Sequence, residues 1–182
     1  MHTDQLKTVW FRWVRGFMIL LWVGLIWGIS GPATAEVYIH PDVDGQILYQ
    51  TRQTLQDQRG YTWQAVAFKF SRSGGSGPLQ LRLVGFPGTV ELDHEQPLTL
   101  LTSLGQSLTV DNVSDQVSKT NPTEPHVGQW NLQPVLLNLG DSMFLDLSVK
   151  TSDDAVVRLA IAPETIEQWQ TVAACSATWC DD

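Results

Sequence analysis

Leu79-Gln80-Leu81-Arg82-Leu83 decides the fold class, because apolar and polar side chains alternate there without error. A period of two belongs to an extended chain with one face on a core and the other in water. The same period recurs further along. Met143, Leu145, Leu147 and Val149 alternate with Asp146, Ser148 and Lys150, and Ala155, Val157, Leu159 and Ile161 form another apolar row with Arg158 opposite. Upstream, Ala65 to Phe68 is apolar on both faces, which suits a central strand covered on both sides. The segment before it, Gln46 to Gln56, carries Ile47, Tyr49, Thr51 and Leu55 on one face. The link Asp57-Gln58-Arg59-Gly60 ends in a glycine that can take the positive φ of a hairpin loop, so these two segments are expected to pair.

Val90 and Leu92, Leu98 to Leu101, and Leu108 with Val110 read as further short strands. Ser71 to Pro78 reads as a mobile Gly/Ser loop; it lacks the Gly-Lys-Ser/Thr of a phosphate cradle, and Pro78 leads into a strand. Residues from about Asp111 to Gln133 show neither period and read as a long loop. One helix is expected, over about 163–174. Pro163 suits its first position, Glu164 its positive end, and Ile166, Trp169, Val172 and Ala173 share one face. Eight to ten short strands and a C-terminal helix predict a mainly β chain: a single antiparallel β-sandwich or partly closed barrel.

The first 35 residues read as an export signal. Lys7, Arg12 and Arg15 precede a 13-residue apolar run, Phe17 to Ile29, and then Ala33-Thr34-Ala35 offers a small-x-small cleavage triplet. The run is shorter than the roughly 20 residues that span a bilayer, which favours cleavage over a retained anchor. The expected mature domain is 36–182, with no membrane span after cleavage. The signal holds three of the eleven basic residues and one of the nineteen acidic ones, so 8 basic and 18 acidic side chains remain, a formal charge of −10. Such a surface repels nucleic acid and anionic lipid. Solubility is the simplest role for this charge, with a basic protein partner or cation binding as the alternatives.

No cofactor or metal is expected. His40, His94 and His126 stand alone without metal-ligand spacing. There is no Gly-x-Ser-x-Gly elbow. His40-Pro41-Asp42-Val43-Asp44-Gly45 begins like a calcium loop but lacks its closing glutamate. Asp153-Asp154 and Asp181-Asp182 read as solvated pairs. Cys175 and Cys180 are too far apart for a redox Cys-x-x-Cys motif. In an oxidising compartment they are expected to form a disulfide, worth about 2 kcal/mol for so small a loop.

Trp63 and Trp169 fit core positions by their period. Trp130, in the long loop with His126, and Trp179, inside the cysteine loop, do not fall on a strand or helix face. Exposed tryptophan suits a partner contact, so His126, Trp130 and Trp179 are candidate contacts. The alternative is that each indole folds back and plugs the core.

Two stretches carry a family resemblance: Leu55-Gln56-Asp57-Gln58-Arg59-Gly60-Tyr61-Thr62-Trp63-Gln64-Ala65-Val66-Ala67-Phe68-Lys69, and Leu81-Arg82-Leu83-Val84-Gly85-Phe86-Pro87-Gly88 followed by Pro97-Leu98-Thr99-Leu100. They resemble small exported cyanobacterial proteins grouped as a domain of unknown function. The resemblance covers most of 36–162. It implies a thylakoid-lumen or periplasmic location and supplies no active site. The resulting expectation is a non-enzymatic exported binding or accessory protein whose protein partner belongs to a photosynthetic membrane complex. The alternatives are a β-domain that binds a pigment, lipid or sugar and, behind it, a hydrolase.

Overall fold

The computed structural model describes residues 38–41, 46–72, 75–116, 123–139 and 144–176. The chain divides into two compact units, 1–34 and 35–182, and the first lies outside the described residues. Within the second, the larger sheet contains β1 (Tyr38–Pro41), β2 (Ile47–Gln56), β3 (Thr62–Arg72), β4 (Gly75–Ser76), β5 (Gln80–Val84) and β8 (Val127–Asn131). Its order is β1-β2-β3-β5-β8, with β4 paired to β3. The smaller sheet contains β6 (Leu98–Thr102), β7 (Ser107–Val110), β9 (Leu145–Lys150) and β10 (Val156–Ile161), in the order β10-β9-β6-β7. Every pairing is antiparallel. Among the described residues there are two α-helices, α1 (Gln133–Leu139) and α2 (Pro163–Ala174).

The sandwich follows from the two-residue period. In β3, Trp63, Ala65 and Ala67 turn inward, opposite Leu55, Gln53 and Thr51 of β2 and, at Ala65 and Ala67, Leu83 and Leu81 of β5. Inward rows of both sheets and three fully buried indoles, Trp63, Trp130 and Trp169, fill the core. The sheets also touch in register at two edges. Asp57, just past β2, bridges Leu159 of β10, and Asn112, just past β7, bridges Trp130 of β8. The edges are drawn together without closing into a barrel. Helix α2 packs over β2 and β3 and buries Ile166, Trp169 and Val172.

The β2–β3 hairpin forms as its spacing predicts, with Gly60 at φ +81°. Elsewhere the sequence reading needs correction. The expected loop at 111–133 contains a full strand, β8, paired along β5. Its pattern is hidden because Gly128 occupies the inward position next to Trp130. A Cβ there would lie 2.2 Å from the indole, so the missing side chain is what makes room for the ring. A second helix, α1, follows; Val135, Leu136 and Leu139 are buried along it, but it fills only two turns. Part of the expected loop at 71–78 is paired, with Ser71 opposite Ser76 and Arg72 opposite Gly75. The expected strand at Val90–Leu92 shrinks to one bridge, Leu92 to Thr151.

Candidate binding face

The outward rows of the larger sheet differ from the rest of the surface. Register places Leu48, Gln50, Arg52, Thr54 and Gln56 of β2 beside Phe70, Phe68, Val66, Gln64 and Thr62 of β3. Gln80, Arg82 and Val84 of β5 come next, then Asn131, Gln129 and Val127 of β8. With Arg72 at the end of β3, these rows carry three arginines and not one aspartate or glutamate. The chain as a whole has net charge −8. The outward rows of the smaller sheet are mixed, with Asp146 beside Leu101 and Arg158 beside Ser148.

Arg82 sits at the centre of this face. Its Nε and Nη2 donate to Gln129 Oε1 at 3.0 and 2.7 Å. Gln129 is itself buried and donates onward through Nε2 to Gln80 Oε1. The guanidinium lies over the Phe68 ring, 5.1 Å from its centre, and Phe68 meets Phe70 edge-on at 5.8 Å. No carboxylate among the described residues lies within ion-pair distance of Arg82. Burial alone lowers its pKa, with no anion to offset it. A shallow concavity of about 220 Å³ follows Leu48, Arg52, Val66, Phe68, Phe70 and Arg82. Phe70 stays 40% exposed beside it, a large apolar surface at the rim of a cationic patch.

A second concavity, about 300 Å³, opens where the β2–β3 turn meets Glu91 and the β9–β10 turn. Arg59, Thr89, Thr151, Ser152 and Asp153 line it. Here the cation already has an anion. Arg59 Nη2 is 3.5 Å from Asp57 Oδ2, and its guanidinium lies 5.2 Å from the centre of the Tyr61 ring. The Thr151 hydroxyl, then the Ala155 amide, hold the Asp153 carboxyl below the usual carboxylate range. The charges in this cleft answer one another, whereas Arg82 has no counter-charge among the described residues.

The residues singled out from the sequence scatter. Trp130 is fully buried on β8, so it is not a surface contact; of the two readings of this indole, the core plug is the one observed. His126 is partly buried just before β8, with Nδ1 3.6 Å from Glu124 Oε2. Cys175 is buried at the end of α2, where its N–H donates to the Thr171 carbonyl at 3.0 Å. Trp179 and Cys180 lie outside the described residues. Among the described residues, no three metal-ligating side chains gather. No described helix is long and apolar enough to cross a membrane.

Sequence reasoning missed Arg82, Phe68 and Gln129. The signal was present in the alternation itself. Once β3 and β5 are placed side by side, their outward rows merge, and the missing carboxylates become visible only on the merged face.

No curated protein and no solved structure matches the chain. Residues 35–172 match a family described as protein of unknown function (DUF3122), and the chain belongs to that family.

Proposed function

We propose that this chain is a non-enzymatic exported binding or accessory protein, and that its partner docks on the outward face of the larger sheet. The supporting observation is the concentration of Arg52, Arg72 and Arg82, with exposed Phe70, on a carboxylate-free face of an otherwise acidic chain. Arginine and aromatic side chains dominate the energetics of protein interfaces. The N-terminal signal supports export to the thylakoid lumen or periplasm, where a photosynthetic membrane complex is the partner proposed.

Native separation of mildly solubilised source membranes tests this reading. The wild-type protein is expected to co-migrate with a large complex. The Arg52→Glu/Arg72→Glu variant is expected to run free while melting at the wild-type temperature, because exposed substitutions change stability by only about 0.5 kcal/mol. Wild-type protein that runs alone in every fraction overturns the reading.

A second reading, binding of a small polar ligand such as a sugar, is supported by the 300 Å³ cleft around Arg59. It predicts a ligand that mass spectrometry detects on the native protein.

The Cys175–Cys180 disulfide belongs to the same proposal, since export exposes both thiols to oxidation. Unreduced protein should take up no alkylating reagent under denaturing conditions, and reduction should open two sites. The Cys175→Ser/Cys180→Ser variant is expected to lose about 2 kcal/mol. Alkylation without reduction removes the disulfide from the proposal.

A further inference from the structure

We propose that Arg82 is the anion-recognition centre of this face and takes a carboxylate from an acidic segment of a partner polypeptide. This rests on the docking reading above and names the chemistry of the contact.

A guanidinium has five N–H donors in a fixed fork. Gln129 Oε1 takes one hydrogen bond from Nε and one from Nη2. Nη1 is left with no partner among the described residues. Gln129 is held in turn by Gln80, and the Phe68 ring supports one side of the guanidinium. The group is therefore oriented before any ligand arrives. An oriented, partly desolvated guanidinium binds a carboxylate more strongly than a solvated one does, because little freedom is lost on binding.

The neutral partner is the telling feature. Arg59 is paired with Asp57 on the same protein, whereas the fork of Arg82 meets an amide oxygen where a glutamate would fit. An amide orients the cation without cancelling its charge.

The rest of the molecule selects among anions. A flat anionic bilayer or a nucleic acid extends beyond the concavity, so it meets the acidic balance of the whole chain, net charge −8, as well as this face. A narrow polypeptide segment can lie along the concavity alone, with a carboxylate on Arg82 and an apolar side chain against Phe70.

Titration calorimetry with poly-L-glutamate at low ionic strength tests this, alongside the native separation above. Wild-type protein is expected to bind. Arg82→Gln should weaken binding about tenfold, equivalent to about 1.4 kcal/mol. Arg82→Lys should also weaken it, since a point charge cannot replace the fork.

Gln129→Glu is the informative variant. It supplies an internal carboxylate, so binding should fall about tenfold while the melting temperature holds or rises. A purely structural Arg82–Gln129 pair would leave binding unchanged. The proposal is overturned if Arg82→Gln and Gln129→Glu bind like wild type, or if wild-type protein binds anionic phosphatidylglycerol vesicles and not poly-L-glutamate. If Arg52→Glu/Arg72→Glu leaves the native complex while the Arg82 variants stay in it, this inference falls and the docking reading stands. If none leaves, both fall.

Discussion

Replacing Trp130 with alanine is expected to lower the melting temperature by about 10 °C or more. The indole is fully buried and reaches from β8 into the space above Gly128, with Leu92 close by. Truncating such a ring costs about 3–5 kcal/mol, from lost transfer energy plus the cavity left behind. In a domain of this size each kcal/mol shifts the midpoint by about 2–4 °C. The ring also anchors a junction, because Trp130 is the residue that Asn112 bridges between the two sheets. Trp130→Phe should cost less. It keeps most of the apolar surface and removes an indole N–H that has no hydrogen-bond partner among the described residues. Gly128→Ala should approach the cost of Trp130→Ala by the opposite route, since its Cβ would overlap the ring and force it to move. Thermal melts of the three variants decide the matter. A Trp130→Ala protein that melts like wild type and fails only in partner binding would return this residue to the surface.

How far the sequence speaks depends on which interactions are local. The β2–β3 hairpin and α2 were legible because their signals are contiguous: a row on one face, a glycine at the turn, a proline at the helix start. Helix α2 spans Pro163–Ala174, matching its apolar spacing residue for residue. Strand β8 was illegible because its core position is a glycine, whose meaning depends on a ring two residues away turning back over it. Helix α1 was missed because two turns provide too few repeats to outweigh the loop-like residues before it. The binding face was missed for a different reason. Arg82 was read correctly as the outward partner of Leu81 and Leu83, but its significance lies in what surrounds it. That depends on Gln129, 47 residues later, and on the absence of carboxylates from four adjacent strands. No window of sequence contains that information; only strand order does.

Strand order also explains why a turn residue, Asp57, should carry a large share of stability. Replacing it with alanine is expected to cost about 3 kcal/mol, because a buried acceptor is lost while its donors remain. Oδ1 accepts from the Arg59 and Tyr61 amides at 2.8 and 2.9 Å, and Oδ2 accepts from the Trp63 indole at 3.4 Å. The backbone of the same residue bridges Leu159, so the turn is fixed where the two sheets meet. Burial raises the carboxyl pKa. The Tyr61 and Arg59 amides, the Trp63 indole and the Arg59 charge together outweigh it, and the net direction is downward. A carboxyl whose pKa is lower folded than unfolded contributes stability above its unfolded value, about 3.9, and that contribution is lost as pH falls through the folded value. The wild-type and Asp57→Ala melting temperatures should therefore lie far apart at pH 7 and converge below about pH 4. Asp57→Asn should fall between them at pH 7, since it retains one acceptor for the turn amides but not the charge. A wild-type-to-alanine gap that stays constant from pH 7 to pH 3 would show that Asp57 acts through backbone geometry alone, with its ionisation making no contribution to the fold.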